Sequence, residues 1–413
     1  MNIIKEKKIA ILSPIDLNFF KKYIKQKIPF KIIESGGGTA NFICKYLIDQ
    51  KQNLIIITLT SKIKKNKVFS GKNFKIYLIP KNKNLFEKII SFIFFYNFFE
   101  IYRIYKILKK EKPDLINSHF WYELSVAAKL SGFPYLITGH DRAKELLKNI
   151  NFFKSPLSYF RLFCRFSSLK FILSNNEIIS VVSKNIKKIL IKNNINKKKI
   201  YIIRNAASFN KYKNRTKKKE FNIISIMNNF TEFKNPKLII KSFNYLIKKI
   251  PYAKLYLFGN QFGVNEKAFI WAKKNKFYKN IIFKGYQDPK KLRKFLSIKG
   301  NLLLNLSLEE SHSNSCIDGF GAKVPVLIYK RCEGTFETIY KGKYGFFINT
   351  LNPLKISDFI KKLENNRFIM LEKANEAYLY ALKNLNKKKI IMQYMHLYNK
   401  KIDEFNFINK KNN

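Results

Sequence analysis

The chain has 413 residues, which predicts two or three domains, and 46% of them are hydrophobic, which excludes a disordered protein. Its formal net charge of +54 would suit nucleic acid or an anionic membrane as partner. The excess is mostly lysine spread among asparagine and isoleucine, as an AT-rich genome produces, with no arginine-rich stripe, so we expect no nucleic-acid partner and leave a membrane surface open.

The first half alternates apolar strands with helical stretches, the pattern of a parallel sheet covered by helices. Residues 7–13 predict a buried strand, and a glycine run at 36–38 opens an amphipathic stretch. Further strands are predicted over residues 53–60, 73–80, 113–120, 134–141, 177–183 and 199–207.

The second half repeats the same α/β plan after a polar segment, 211–220, that we interpret as an interdomain linker. Strands are predicted over residues 221–227, 253–259, 280–286, 300–307 and 324–329, with helices over 235–250, from about 314, and from 356 to 407. These patterns predict an N-terminal domain at 1–210, a C-terminal domain at 211–385 and a final helical segment at 386–413.

The cysteines and histidines favour neither a disulfide framework nor a metal site. The four cysteines share no C-x-x-C spacing and the four histidines are scattered, which fits a reducing cytoplasm. The N-terminus does not read as a signal peptide, and the apolar run at 89–99 is too short to span a bilayer. We therefore expect a cytoplasmic protein, soluble or peripheral on the inner face of the cytoplasmic membrane.

Several segments, read in order, resemble the retaining glycosyltransferases of the GT-B fold, family 4 type. The segments lie at 35–42, 112–121, 134–141, 229–236, 307–327, 334–339, 344–348 and 352–353. The densest, S-L-E-E-S-H-S-N-S-C-I-D-G-F-G-A-K-V-P-V-L, is similar to the family's E-x7-E signature and the stretch that follows it.

The resemblance implies an α/β fold of two facing Rossmann-like domains, with a C-terminal helical segment returning to the first. It also implies an enzyme of the hexosyltransferase type that moves a sugar from a nucleotide sugar to a glycan or lipid-linked acceptor, in cell-surface polysaccharide or lipopolysaccharide synthesis. Retaining enzymes of this group use the leaving phosphate as the base, so the resemblance implies no cofactor and no metal.

The donor diphosphate needs backbone N–H groups and fixed positive charge, which a helix N-terminus supplies. By resemblance, Ser313, Asn314 and Ser315 open the helix whose amides face the phosphate, and Lys234 is the phosphate-binding lysine. Asn229, a further candidate for phosphate binding, stands where the family has an arginine; its amide can hydrogen-bond a phosphate but brings no charge.

The carboxylate pair of the signature is Glu310 and Asp318. The resemblance implies that Glu310 faces the donor sugar and that Asp318 hydrogen-bonds the ribose hydroxyls, for which a carboxylate is a natural partner. The family has glutamate at the second position, so the shorter aspartate must approach the ribose more closely or bind it through water. Arg204 and Lys323 are the residues we consider as replacements for the missing arginine.

In the first domain the resemblance assigns His140, at the end of a strand, to orienting the donor sugar. His119 lies beside aromatic residues, so both a site role and a packing role stay open. Gly36, Gly37 and Gly38 would permit close backbone approach to a phosphate or to the acceptor.

Two stretches of the first domain, 86–110 and 152–174, mix aromatic residues with lysine or arginine at helical spacing. Such helices can lie in a membrane interface and contact anionic lipid, which would favour a lipid-linked acceptor. The alternative is that both helices simply pack on the sheet, and the sequence leaves the two interpretations open.

Three alternative functions follow from the departures and the charge. One is a different GT-B activity, such as an epimerase or an inverting transferase. Another is a catalytically weak relative that binds a nucleotide sugar or a partner without efficient turnover, which Asn229 and Asp318 motivate. The third is a basic nucleic-acid-binding protein, motivated by the net charge alone.

Overall fold

A computed structural model of the chain describes residues 6–29, 37–81, 87, 97–141, 163–164, 167–173, 177–209 and 220–412, the last five as backbone only. The chain divides into two compact units. The first unit contains Met1–Arg204 and Lys388–Asn413, and the second contains Asn205–Lys387. The C-terminal segment therefore returns to the first unit, as predicted.

The first unit is built on an eight-stranded sheet. Its strands are β1 (Ile9–Leu12), β2 (Leu54–Thr60), β3 (Lys67–Ser70), β4 (Phe74–Pro80), β5 (Leu115–His119), β6 (Tyr135–Gly139), β7 (Ile179–Val181) and β8 (Ile200–Ile202). Their order in the sheet is β3-β4-β2-β1-β5-β6-β7-β8, and every pair is parallel except β3 with β4. Without β3, this is the order of a doubly wound, Rossmann-like sheet.

Helices cover both faces of that sheet, as is usual for parallel sheets, and most residues of its central strands are buried. They are α1 (Gly38–Asp49), α2 (Phe98–Glu111), α3 (Glu123–Leu130), α4 (Lys184–Lys192) and, from the far end of the chain, α12 (Lys387–Asn412). One face packs against α2, α3 and α4 around Ile116, Ile137 and Ile179. On α12, buried side chains include Tyr394 and Tyr398, and Tyr398 hydrogen-bonds Asn117 of β5.

The second unit holds a six-stranded parallel sheet. Its strands are β9 (Phe221–Ile226), β10 (Ala253–Phe258), β11 (Ile281–Gly285), β12 (Leu302–Asn305), β13 (Val326–Tyr329) and β14 (Phe346–Ile348). Their order, β11-β10-β9-β12-β13-β14, is again doubly wound. The α/β class with two parallel-sheet domains is thus confirmed.

The helices of the second unit follow its strands along the chain. They are α5 (Pro236–Leu246), α6 (Lys267–Lys274), α7 (Pro289–Lys299), α8 (Asn314–Gly321), α9 (Glu333–Thr338), α10 (Pro353–Asn365) and α11 (Arg367–Asn384). One apolar core contains residues of α5 and α10, and another contains residues of α7, α8 and α11. In the part of the chain that the structure describes, no helix is both long and apolar enough to cross a membrane.

The structure differs from the sequence prediction at the outer edges of the two sheets, where β3 and β14 were not predicted, and at the boundary between the units. The strand β3 was not predicted, because it is a short and largely exposed edge strand with little apolar signal. Residues 205–209, which the prediction puts in the first domain, bond within the second unit, where Ala207 N–H donates to the Leu385 carbonyl at 2.7 Å. Most of the proposed linker, 211–219, lies outside the described residues.

The strand order defines where each unit can bind a ligand. In a doubly wound sheet the chain leaves neighbouring central strands in opposite directions, and a crevice forms outside their carboxyl ends. That switch point lies between β1 and β5 in the first unit and between β9 and β12 in the second.

Candidate donor and sugar site

The loops that follow β9 and β12 meet at the switch point of the second unit. Leu308 N–H donates to the Phe233 carbonyl at 2.8 Å, which ties the two loops together. Lys234 ends a short 3-10 turn after β9, and Glu310 lies in the loop after β12. Residues that are 76 positions apart in sequence are therefore neighbours at one sheet edge.

Lys234 and Glu310 form an ion pair, with Nζ and Oε1 2.5 Å apart. The two side chains are only 25% and 19% exposed, so water screens this pair less than a surface pair. Ser307 Oγ also donates to the Glu310 carboxylate at 3.3 Å. A lysine and a carboxylate this close together can bind two neighbouring groups of one ligand, the lysine a phosphate and the carboxylate a sugar hydroxyl.

The N-terminus of α8 opens at the same edge. Ser313 caps the helix by accepting the Cys316 N–H, while its own N–H donates to Thr338 Oγ1 at 3.2 Å. The N–H groups of Asn314 and Ser315 lie in the first turn, before the helical ladder begins, and are available to an anion. The predicted helix N-terminus therefore has the geometry of an anion site.

Four residues that were not among the predicted site residues shape this edge. Asn305 Nδ2 donates to both Ser313 Oγ and Ser315 Oγ at 3.0 Å, and its Oδ1 accepts the Ser307 N–H. A Cβ on Gly334 would lie 1.9 Å from the Glu310 carbonyl oxygen, so only glycine lets α9 approach that loop. The sequence signal for Asn305 is a polar residue that ends a buried apolar strand. The four residues are Asn305, Ser307, Gly334 and Thr338.

Asp318 lies on α8, one to two turns after the cap, and its carboxyl is desolvated. Burial raises the pKa of Asp318 to about 6, although the charges of Arg293 and Lys387 act in the opposite direction. The carboxyl therefore gains or loses its charge close to neutral pH, and with that charge it gains or loses the ability to accept hydrogen bonds from a ligand.

Asn229 adopts a left-handed backbone conformation, with φ at 67°, and is exposed in the loop after β9. Asparagine tolerates that conformation better than arginine would. Lys323 lies beyond the opposite end of α8, where its ammonium sits 4.5 Å from the Tyr378 ring centre, so it does not replace a cation at the helix N-terminus. Arg204 belongs to the first unit.

In the first unit, the glycine loop after β1 opens α1. Gly37 is the N-cap with φ at 76°, and a Cβ there would lie 2.3 Å from the Pro14 carbonyl oxygen. Glycine is therefore required both for the backbone conformation and for the close approach to the preceding loop. Gly38 is exposed at the first turn, and Gly36 lies outside the described residues.

His119 and His140 form a hydrogen-bonded pair at the carboxyl ends of β5 and β6. His119 Nδ1 and His140 Nε2 are 2.8 Å apart, and the rings stack with centres 5.1 Å apart. Phe120 has φ at 71°, and its ring lies 4.7 Å from that of His140. His119 therefore contacts His140 directly and also packs against the ring of Tyr394, so both the site role and the packing role remain predictions.

Burial keeps both histidines neutral. It lowers the pKa of His140 to about 4 and the pKa of His119 well below its ordinary value, and the repulsion that two protonated rings would exert on each other lowers the pKa of His119 further. Gly139 allows Trp121 to cover the pair's strand, since a Cβ there would lie 1.8 Å from the indole ring. At neutral pH the pair therefore offers a ring nitrogen and no charge.

Among the residues that the structure describes, no three His, Cys, Asp or Glu side chains gather as metal ligands would. The polar groups at the second unit's switch point are instead one lysine, one carboxylate, hydroxyls and backbone amides.

Two family profiles together match most of the chain. The family described as glycosyl transferases group 1 matches residues 208–383, and the one described as glycosyltransferase family 4 matches residues 43–210. The two matches divide near the boundary between the two units. Among curated proteins, none matches this chain.

Solved structures with the same fold align over almost the whole chain. A sucrose-phosphate synthase from Thermosynechococcus elongatus has a TM-score of 0.72 at 15% identity, covering 96% of this chain and 99% of its own. HepE from Anabaena, solved with UDP and glucose, has a TM-score of 0.66 at 13% identity, and the alignment covers 95% of this chain and 99% of HepE. WaaG, a glycosyltransferase involved in lipopolysaccharide biosynthesis, has a TM-score of 0.67 at 12% identity, and the alignment covers 94% of this chain and 99% of WaaG. At these identities the likeness shows the fold.

The lowered pKa values of the histidine pair predict that the folded protein becomes less stable in acid. Because the pKa of His140 falls to about 4 on folding, the unfolded chain binds more protons than the folded chain below the ordinary value of about 6.5. The free energy of unfolding should therefore fall as pH decreases through this window, by up to about 1.4 kcal/mol per pH unit for each such group. Urea unfolding at several pH values measures the slope.

The variant His140→Asn should show a flatter dependence of stability on pH, whatever its stability at neutral pH. His396→Asn removes an exposed histidine outside the pair and should keep the wild-type slope. Equal slopes for the wild type and His140→Asn would contradict the assignment.

Proposed function

Because this chain belongs to the GT-B glycosyltransferases of the group 1, family 4 type, we propose that it moves a sugar from a nucleotide-sugar donor to a glycan or lipid-linked acceptor with retention of anomeric configuration. The acceptor class points to cell-surface polysaccharide or lipopolysaccharide synthesis on the cytoplasmic side of the membrane. HepE, which shares the fold, was solved in complex with UDP-glucose.

The observation that carries the proposal is the convergence of Lys234, Glu310 and the N-terminus of α8 at one switch point. A nucleotide sugar presents a diphosphate and sugar hydroxyls within a few bonds of each other. The lysine and the N–H groups of Asn314 and Ser315 suit the diphosphate, and the carboxylate of Glu310 suits a sugar hydroxyl. The ion pair between Lys234 and Glu310 sets these two contacts side by side.

The proposed reaction breaks the bond between the sugar C1 and the phosphate oxygen and forms a bond from C1 to the acceptor oxygen on the same face. The acceptor proton passes to the departing phosphate, so no protein carboxylate is needed as base. Lys234 and the α8 amides would stabilise the charge that develops on the leaving diphosphate. His140, neutral at physiological pH, would orient the donor sugar through a hydrogen bond. A resident metal is no part of the proposal.

A thermal-shift screen across UDP-, GDP- and ADP-sugars tests the donor assignment. A donor at about 100 times its Kd should stabilise the protein by about 2.7 kcal/mol. Lys234→Ala should weaken the binding of that donor by about 10- to 100-fold, because a charge-assisted hydrogen bond is lost. The control Lys241→Ala removes an exposed lysine from α5 and should bind as the wild type does. A shift with none of the donors would contradict the proposal.

Retention is tested on the product. NMR coupling constants of the transferred sugar should show the anomeric configuration of the donor, and Glu310→Gln should lower kcat by about 100-fold or more, because a carboxylate contact to the reacting sugar is lost. Glu376→Gln, on the exposed face of α11, is the control. An inverted product would contradict retention, and unchanged transfer in both Glu310→Gln and His140→Ala would favour a binding protein without efficient turnover.

The pKa of Asp318 leads to a prediction of how donor affinity depends on pH. If its carboxylate accepts the ribose hydroxyls, protonation below its pKa of about 6 removes an acceptor. The Kd of a nucleotide sugar should therefore rise about tenfold between about pH 7 and about pH 5. Isothermal titration calorimetry measures this. Asp318→Asn should give a flat profile, and Asp358→Asn, on α10, should keep the wild-type profile. A wild-type Kd that does not change would contradict the ribose contact.

The acceptor proposal is supported by an open apolar groove of about 610 Å³ between α2 and α3 of the first unit. Its lining includes Phe98, Tyr102, Tyr105, Val126, Leu130 and Phe171. Lysines edge the groove: the Lys106 ammonium lies 4.6 Å from the Tyr102 ring centre, and that of Lys129 lies 4.5 Å from the Phe171 ring centre. We propose that this groove docks on an anionic bilayer, where apolar side chains meet acyl chains and lysines meet headgroups.

Residues 86, 88–96, 152–162, 165–166 and 174 of the two aromatic stretches lie outside the described residues. The proposal rests on the groove alone. Phe98 and Leu130 are 46% and 51% exposed, a large apolar exposure for side chains that face neither the sheet nor a core.

Vesicle co-sedimentation tests the docking at constant protein charge. The double variant Phe98→Ser/Leu130→Ser should bind phosphatidylglycerol vesicles about tenfold more weakly, because two apolar side chains are lost from the contact. The control Phe368→Ser/Leu379→Ser removes matched exposed side chains from α11 of the second unit and should bind as the wild type does. If both double variants bind the vesicles equally, the attraction comes from net charge alone and the docking proposal is contradicted.

A further inference from the structure

Helix α12 inserts two tyrosines into the first unit. Tyr394 and Tyr398 are one helical turn apart, so they project from the same side of the helix, and both side chains are almost completely buried. Each carries a hydroxyl into the interior, where a polar group needs a hydrogen-bond partner.

The sheet surface under this helix is polar where a core is ordinarily apolar. Asn117 and His119 are two residues apart on β5 and therefore lie on one face, and the register pairs His119 with Thr138 and Thr138 with Ser180 on the neighbouring strands. All four side chains are buried. They form a polar strip across β5, β6 and β7 that ends at His140, two residues after Thr138.

The tyrosine hydroxyls connect this strip into one network. Asn117 Nδ2 donates to Tyr398 Oη at 2.7 Å, and Thr138 Oγ1 donates to Asn117 Oδ1 at 3.1 Å. Thr138 Oγ1 and Ser180 Oγ are 2.7 Å apart, and burial raises the pKa of the Tyr394 hydroxyl beside them to about 12, against hydrogen bonding with Thr138 and Ser180. Side chains of the strip therefore hydrogen-bond one another and also hydrogen-bond α12.

His119 also lies against the same helix. The ring of Tyr394 stacks on that of His119, with centres 6.3 Å apart and planes 29° apart. Within the described structure, His119 Nε2 is buried and has no hydrogen-bond partner, so the bond from Nδ1 to His140 is the polar contact that fixes the ring. A flip of the ring would break that bond, and the Tyr394 stack restrains the flip.

We propose that Tyr394 and Tyr398 are positioning residues for His140 and act through His119. The helix α12 holds the polar strip and the His119 ring, and His119 in turn fixes the ring orientation and tautomer of His140, because the shared proton lies on either His119 Nδ1 or His140 Nε2. The kinetic consequence rests on the proposed function, in which His140 orients the donor sugar, whereas the structural consequence does not.

Steady-state kinetics tests the catalytic part. Tyr394→Leu, which removes both the stack and the hydroxyl, should lower kcat by about tenfold or more with the donor KM within about twofold of the wild type. Tyr394→Phe retains the stack and should recover part of that loss. Tyr398→Phe removes only the hydroxyl that meets Asn117 and should give a smaller decrease.

Two control variants separate positioning from stability. Tyr201→Phe removes a hydroxyl that contacts the same helix through Lys400, outside the network, and should leave kcat unchanged. Leu397→Ala deletes a buried side chain between the two tyrosines and should lower Tm while leaving kcat of the folded enzyme near that of the wild type. If kcat follows Tm across all the variants, the positioning role is overturned.

Ring nitrogen NMR tests the structural part without any turnover. The chain has four histidines, so the ring signals of His119 and His140 can be assigned with single His→Asn variants. Tyr394→Leu should change the tautomer pattern or broaden the signals of both rings, and Tyr201→Phe should not. Unchanged rings in Tyr394→Leu would overturn the proposal even if the enzyme is active. Changed rings in a protein that turns over no nucleotide sugar would uphold it and count against the proposed function alone.

Discussion

The site in each unit depends on one constraint, the reversal of winding direction at the centre of a parallel sheet. Because neighbouring central strands send the chain to opposite faces, the loops after them leave a crevice at their carboxyl ends. In the second unit that crevice brings Lys234, Glu310 and the start of α8 together. In the first it brings the glycine loop of α1 and the His119–His140 pair to the same edge. The chemistry of the protein is carried by loops, and the sheets determine where those loops meet.

The two units bring electrostatically different groups to their switch points. The second presents a lysine, a carboxylate and helix amides, which suit an anionic ligand. The first presents two histidines that burial keeps neutral, so it offers directed hydrogen bonds without charge. The large positive charge of the chain as a whole is a separate property, spread along its length.

Much of the fold and part of the site could be predicted from the sequence. Apolar runs of strand length marked the central strands, and the order of several short motifs led to Lys234, Glu310 and Asp318. The edge strand β3 was missed because exposed edge strands carry little apolar signal.

Other contacts could not be predicted because they join residues far apart in the chain. Asn305 and Gly334 gain their importance only where α8 and α9 approach the loop that carries Glu310. The bond between His119 and His140 depends on the register of β5 with β6, which no local pattern specifies. The desolvation that raises the pKa of Asp318 is likewise a property of packing and not of sequence.

The return of α12 to the first unit has a consequence for biosynthesis. The ribosome makes Met1–Arg204 first, then the whole second unit, and only afterwards the helix that carries Tyr394 and Tyr398. Until that helix emerges, Asn117 and its polar neighbours on β5, β6 and β7 have no tyrosine hydroxyls to bond, so the nascent first unit holds an open polar seam beside its histidine pair. The first unit to be translated is thus the last to be completed, and the histidine pair takes its final surroundings only after the second unit has been synthesised.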